Sequence, residues 1–240
     1  MKTAILVDGG FYQKRAQTCL GDATAEERAT QLHSYCLRHL RQKKNQKKKS
    51  SSSKQNSEDD YEFSSELYRI FYYDCRPMTK KIYHPFLGQT VDYSKTALYT
   101  YMDQFLKELT RKRKFALRLG KLSEQEAVFQ LKYDTLKKLC AHTKTVADLT
   151  EQDFRLDVKQ KGVDMKIGID IASMAYKKQV DKIVLIAGDS DFVPAAKLAR
   201  REGIDIVLDP LGAHIKPDLF EHIDGLRTCD DRFRASFRIV

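Results

Sequence analysis

No two cysteines in this 240-residue chain are spaced Cys-x-x-Cys, and the five present (Cys19, Cys36, Cys75, Cys140 and Cys229) are scattered and odd in number. That pattern excludes a paired-cysteine zinc site and a disulfide framework, and it suits reduced, mostly buried thiols in a cytoplasmic chain. The six histidines are equally dispersed, which removes the other common zinc ligand. No window holds the roughly 18 uninterrupted apolar residues of a membrane-spanning helix. The N-terminal apolar run is cut by Asp8 too early for a secretory signal. No Gly-x-Gly-x-x-Gly follows that run, which argues against dinucleotide binding. Nor does any Ser-His-Asp or Cys-His arrangement suggest covalent catalysis.

Positive charge is what the sequence has in excess: 43 Lys and Arg against 33 Asp and Glu, a formal net charge of +10. Such a field favours a polyanionic partner such as nucleic acid and says nothing about fold. The length and the 42% hydrophobic content suffice for one good-sized α/β core. The expected organisation is one domain over residues 1–240. It carries a solvated, flexible Lys/Ser-rich insertion at 43–60, "KKNQKKKSSSSKQNSEDD".

Apolar runs predict strands at 3–7, 67–74, 115–122, 182–187 and 204–208, and alternation predicts a half-buried strand at 154–160. Helical spacing predicts helices at 26–42, 93–113, 124–141, 163–178 and 192–202, and a short one at 216–222. Glycines at 9 and 10 are read as a tight turn. Strands alternating with helices imply a mostly parallel sheet covered on both faces, with ligands beyond the carboxyl ends of its strands.

Acids stand at those ends. "TAILVDGG" places Asp8 after one strand, and "KIVLIAGDSD" places Asp189 after another, with Asp191 near the next helix start. "QKGVDMKIGID" supplies Asp164 at the opening turn of a helix; Asp170, six residues on, points about 120° away on an ideal helix. Singly, each acid reads as well as a cap or turn residue. Asp74 is a weaker candidate of the same kind, and Asp209, followed by Pro210, suits a turn. Together they would repel one another and lose hydration unless a hard cation joined them. Mg²⁺ takes oxygen ligands, commonly one or two carboxylates plus waters and substrate phosphate. Two such ions about 4 Å apart serve phosphodiester hydrolysis.

"ILVDGGFY", "KQKGVDMKIGIDIASMA" and "VLIAGDSDFVPAAKLARREGIDIVL", in this order and spacing, resemble the NYN domain, a PIN-like ribonuclease family that includes the LabA-like proteins. The resemblance covers residues 1–15 and about 155–225. It implies a PIN-like α/β/α sandwich and Mg²⁺- or Mn²⁺-dependent cleavage of RNA. Asp8, Asp164, Asp189 and Asp191 would be the catalytic, metal-holding acids, with Asp170 a further ligand. It also leaves room for a homodimer. Many members carry an asparagine soon after the first acid, where this chain has Gly10 and Phe11.

For the nucleic acid, Lys161 and Ser190 would contact phosphate, Tyr12 would stack on a base, and Arg111, Lys112, Arg113 and Lys114 would guide the backbone. The alternative reading is a catalytically weak or inactive RNA-binding or regulatory member of the fold. A phosphatase of the haloacid dehalogenase type ranks low, because Gly10 stands where its second aspartate belongs.

Overall fold

The computed structural model describes residues 1–43 and 61–234. Most of the Lys/Ser-rich insertion, residues 44–60, lies outside the described residues.

In chain order the elements are β1 (Lys2–Asp8), α1 (Gly9–Leu20), α2 (Ala25–Arg38), β2 (Arg41–Lys43), β3 (Tyr61–Phe63), β4 (Glu66–Cys75), β5 (Lys81–His84) and β6 (Gln89–Asp92). There follow α3 (Ala97–Thr110), β7 (Phe115–Leu122), β8 (Val128–Leu131), α4 (Tyr133–Cys140), β9 (Phe154–Asp157), β10 (Gln160–Lys161) and α5 (Val163–Tyr176). The chain continues through β11 (Lys182–Ile186), α6 (Val193–Arg201), β12 (Asp205–Asp209), α7 (Pro217–Phe220), β13 (Gly225–Leu226) and α8 (Asp231–Arg234).

Seven strands form one sheet in the order β10-β7-β4-β1-β11-β12-β13, parallel except where β10 pairs antiparallel with β7. Strand side chains alternate between faces, so β1 feeds two cores. Ala4 and Leu6 pack with Ile167, Ile171 and Met174 of α5 and Ala196 and Ala199 of α6. Ile5 and Val7 pack with Tyr12 and Ala16 of α1, Leu32 and Cys36 of α2, and Phe105 and Leu109 of α3. The result is the expected three-layer α/β/α sandwich.

Several boundaries differ from the sequence reading. Gly9 and Gly10 open α1 and do not form a separate turn. The helix expected over 26–42 is α2, started by a Thr24–Glu27 capping box and ended at Arg38. Arg41–Lys43 beyond it pairs antiparallel with Tyr61–Phe63. The helix expected over 124–141 is interrupted, because β8 (Val128–Leu131) pairs antiparallel with β9 (Phe154–Asp157). Only Tyr133–Cys140 remains α-helical there. The β5–β6 hairpin, joined by Gly88 at φ +62°, had no signal in the pattern reading.

No helix among the described residues is long and apolar enough to cross a membrane.

Candidate metal centre and acidic rim

Parallel register brings acids from distant positions to one edge of the sheet. Asp8 pairs with Tyr73, Ile186 pairs with both Val7 and Asp209, and Asp74 pairs with Leu119. The carboxyl ends of β1, β4, β11 and β12 therefore share one rim.

Asp8 is the N-cap of α1, its carboxylate accepting from Phe11 N–H at 3.1 Å. Its carboxyl is pushed up to about 6, chiefly by burial, which the Phe11 hydrogen bond opposes and the charges of Asp164, Asp74 and Asp189 reinforce. Asp74 is buried and accepts from Tyr72 O–H at 3.0 Å and Cys75 N–H at 2.7 Å. Burial raises its carboxyl as well. Asp164 lies in the first turn of α5, whose N-cap is Gly162 in the left-handed region at φ +81°. It makes no hydrogen bond or ion pair among the described residues. Burial and the charges of Asp189 and Asp191 raise its carboxyl too.

Asp189 is exposed and its Oδ1 accepts from Asp191 N–H at 3.3 Å. The turn between β11 and α6 is thus capped by Asp189, and the capping role anticipated for Asp191 passes to it. Lys216, entering α7, brings Nζ to 3.9 Å from Asp189 Oδ1. The pattern reading did not single out this cation; a lysine before a short helix carries no signal until β12 and its loop fold beside the rim.

Two glycines permit this packing. A Cβ on Gly9 would stand 2.5 Å from Tyr72 Cζ and 2.6 Å from Asp74 Oδ2. A Cβ on Gly188 would stand 2.5 Å from Phe11 Cε2, so the Phe11 ring lies over the turn that carries Asp189. Gly9→Ala is therefore expected to destabilise the fold by about 1–3 kcal/mol through overpacking, read as a lower urea midpoint with an unchanged m-value.

Other residues fall elsewhere. Asp170 is held by Arg118 Nε and Tyr73 O–H, each at 2.9 Å. Tyr12 is 1% exposed within the core. The base-stacking role expected for it is corrected: helical periodicity turns it inward from α1.

The Arg111–Lys114 run is corrected as well. It precedes β7, whereas the acids follow their strands. Arg118, level with Tyr73 and so with Asp8, comes about 13 Å along the strand after Lys114. Lys114 Nζ turns further away, to Leu67 O and to Glu66 at 3.5 Å. Arg111 pairs with Glu108 at 2.6 Å, and Lys112 donates to Thr30 at 2.9 Å. Lys161 is exposed on β10 and pairs with Glu126 at 3.2 Å. The side chain of Ser190 lies outside the described ones.

The donor set at the rim consists of carboxylate oxygens, the chemistry that Mg²⁺ and Mn²⁺ select. Among the described residues no three His, Cys, Asp or Glu side chains close on a single point.

Sandwich and rim together define an α/β protein of the kind that gathers acids at the carboxyl edge of a parallel sheet. The NYN domain pattern matches residues 88–218, more than half of the chain, and the chain belongs to this family of PIN-like nucleases. Asp164, Asp170, Asp189 and Asp191 lie inside the match, and the pairing of β1 with β11 brings Asp8, from outside it, to the strand end that leads to Asp189. No curated protein matches the chain. Among solved structures, a Vibrio parahaemolyticus protein of unknown function aligns at 13% identity over 97% of this chain and 94% of that chain, with a TM-score of 0.45.

Proposed function

We propose that this protein is a divalent-metal-dependent ribonuclease that hydrolyses RNA phosphodiester bonds at the acidic rim. The supporting observation is the electrostatic meeting of Asp8, Asp164, Asp189 and Asp191, brought from three separate elements and carrying mutual repulsion. Family membership gives nucleic acid as the substrate class.

In this reading Asp8 and Asp189 hold Mg²⁺ or Mn²⁺, and Asp164 and Asp191 complete the site or bind its waters. Asp74 lies behind Asp8 and adds to the local negative potential. Once bound, the ion supplies Lewis acidity to the scissile phosphate and lowers the pKa of the attacking water. Lys216 stands where its ammonium would face a phosphate brought to Asp189. Phe11 over Gly188 covers the turn and keeps Asp189 in place. Asp170, bound to Arg118 and Tyr73, fixes α5 against β4 and β7 and so positions Asp164.

The test is cleavage of an end-labelled single-stranded RNA with Mg²⁺ or Mn²⁺, wild type against Asp189→Asn. Asparagine keeps the acceptor for Asp191 N–H, so the turn survives. A loss of about 100-fold or more is expected. Equal, background-level cleavage by both proteins would leave an RNA-binding member without turnover. A parallel DNA substrate reads sugar preference.

A further inference from the structure

Beside the acidic rim, on the outer strands, lies a cleft of about 830 Å³ between the segment after β4, α3 and the end of β7. Arg76, Lys121 and Lys161 line it, with Tyr99 of α3 in the wall. Arg76 and Lys121 are exposed and make no ion pair among the described residues. The acids lining the cleft are already engaged: Glu124 Oε1 accepts from Thr79 N–H at 3.1 Å, and Asp103 pairs with Lys107 at 2.6 Å. A smaller cavity of about 180 Å³ has Asp74 in its wall and shares Arg76, Pro77, Tyr99 and Leu122 with the cleft. The two spaces adjoin at these residues, and the smaller one reaches Asp74 at the rim. Lys161 in the cleft wall stands three residues before Asp164, and the chain passes between them through Gly162. A Cβ on Gly120 would stand 2.7 Å from Lys161 O, so glycine there is what lets this cleft wall close against β7.

We infer that this cleft is the track for a single RNA strand leading to the acidic rim, with Arg76 and Lys121 on its phosphates and Tyr99 beneath a base. The inference rests on the ribonuclease reading and names the form of its substrate. Unpaired cations beside an aromatic ring are what single-strand grooves use. A volume of about 830 Å³ is that of a site for one drug-sized ligand, enough for one or two nucleotides. A-form duplex, by contrast, is read across wide grooves by shape.

The experiment measures binding of a fluorescein-labelled hexauridylate by anisotropy in chelator, so that nothing is cleaved. Circular dichroism checks each variant's fold. Arg76→Ala/Lys121→Ala is expected to weaken binding about tenfold or more and to lower the salt slope by about 1.4, the loss of two single-strand phosphate contacts. Tyr99→Leu, which fills the same space without a stacking ring, is expected to weaken binding about fivefold or more. Lys112→Ala/Arg113→Ala, at the amino end of β7, is expected to leave it within twofold.

Cleft variants that bind like wild type would overturn the inference, as would a labelled duplex of equal length binding as tightly as the single strand. Binding through the cleft by a protein that cuts nothing would sustain the track and sink the ribonuclease reading. Cleavage that depends on Asp189 with no cleft effect would do the reverse.

Discussion

Asp8→Asn is expected to raise the melting temperature of the metal-free protein and to abolish the proposed cleavage of RNA. Asp8 is an acid held in a largely buried place beside Asp74, and burial, with the neighbouring carboxylate charges adding and the Phe11 hydrogen bond opposing, pushes its carboxyl up to about 6. For a raised carboxyl the charged form is disfavoured in the fold. The penalty appears as pH rises from 3.8 through about 6 and is complete above that. A shift of this size corresponds to about 3 kcal/mol. Asparagine removes the charge but keeps the oxygen that accepts from Phe11 N–H, and it is as good an N-cap as aspartate. At pH 7.5 in chelator the variant is expected to melt roughly 6–12 °C higher, given about 2–4 °C per kcal/mol for a domain of this size.

Metal supplies the second reading. If Mg²⁺ or Mn²⁺ binds the native state at this rim, it is expected to raise the wild-type melting temperature and that of the variant much less. Scanning fluorimetry and the cleavage assay together check this. A variant that melts lower than wild type without metal would show that Asp8 is a structural cap and nothing more.

Asp209→Ala lowers stability by about 3–5 kcal/mol, the cost of breaking a buried pair. Its carboxylate is fully buried at the end of β12, with Leu211 N–H and Thr228 O–H each at 2.9 Å from Oδ1. The Tyr35 hydroxyl also donates to it, and His39 Nε2 lies 2.9 Å from Oδ2 with both side chains fully buried. Alanine would leave these donors without their acceptor.

The pair also sets a pH dependence. Burial works against a charge on His39, but its hydrogen bond to Asp209 leads the effects that outweigh this and raise it to about 9. For a raised histidine, stability is fully present below 6.5, the ordinary value, and is lost as pH rises through about 9. Urea midpoints should therefore fall from pH 6.5 to 9.5 by the equivalent of about 3 kcal/mol. His39→Gln should flatten that slope. A wild-type midpoint constant over this range would refute the ion pair.

Most of the sheet was legible because buried parallel strands are short apolar runs, and those ending at Asp8, Cys75 and Ile186 are of that kind. The interrupted helix at 124–141 was not, since Val128–Leu131 becomes a strand only by pairing with a segment more than twenty residues later. The Gly9–Gly10 pair misled for a related reason. Glycine signals a turn, yet here its missing Cβ serves the close approach of Tyr72 and Asp74 while the chain runs on as helix.

By itself the sequence determined the sandwich, the acids at strand ends and the overall positive charge, because these follow from local pattern and composition. Only the tertiary structure decided which polar groups share a place. It withdrew Tyr12 into the core and Asp170 onto Arg118, set the Arg111–Lys114 run at the other end of β7, brought Lys216 to Asp189, and opened a cleft lined by Arg76 and Lys121. The physical reason is register: hydrophobic periodicity fixes which face a residue takes, but which charges become neighbours depends on strands paired across more than a hundred residues of chain.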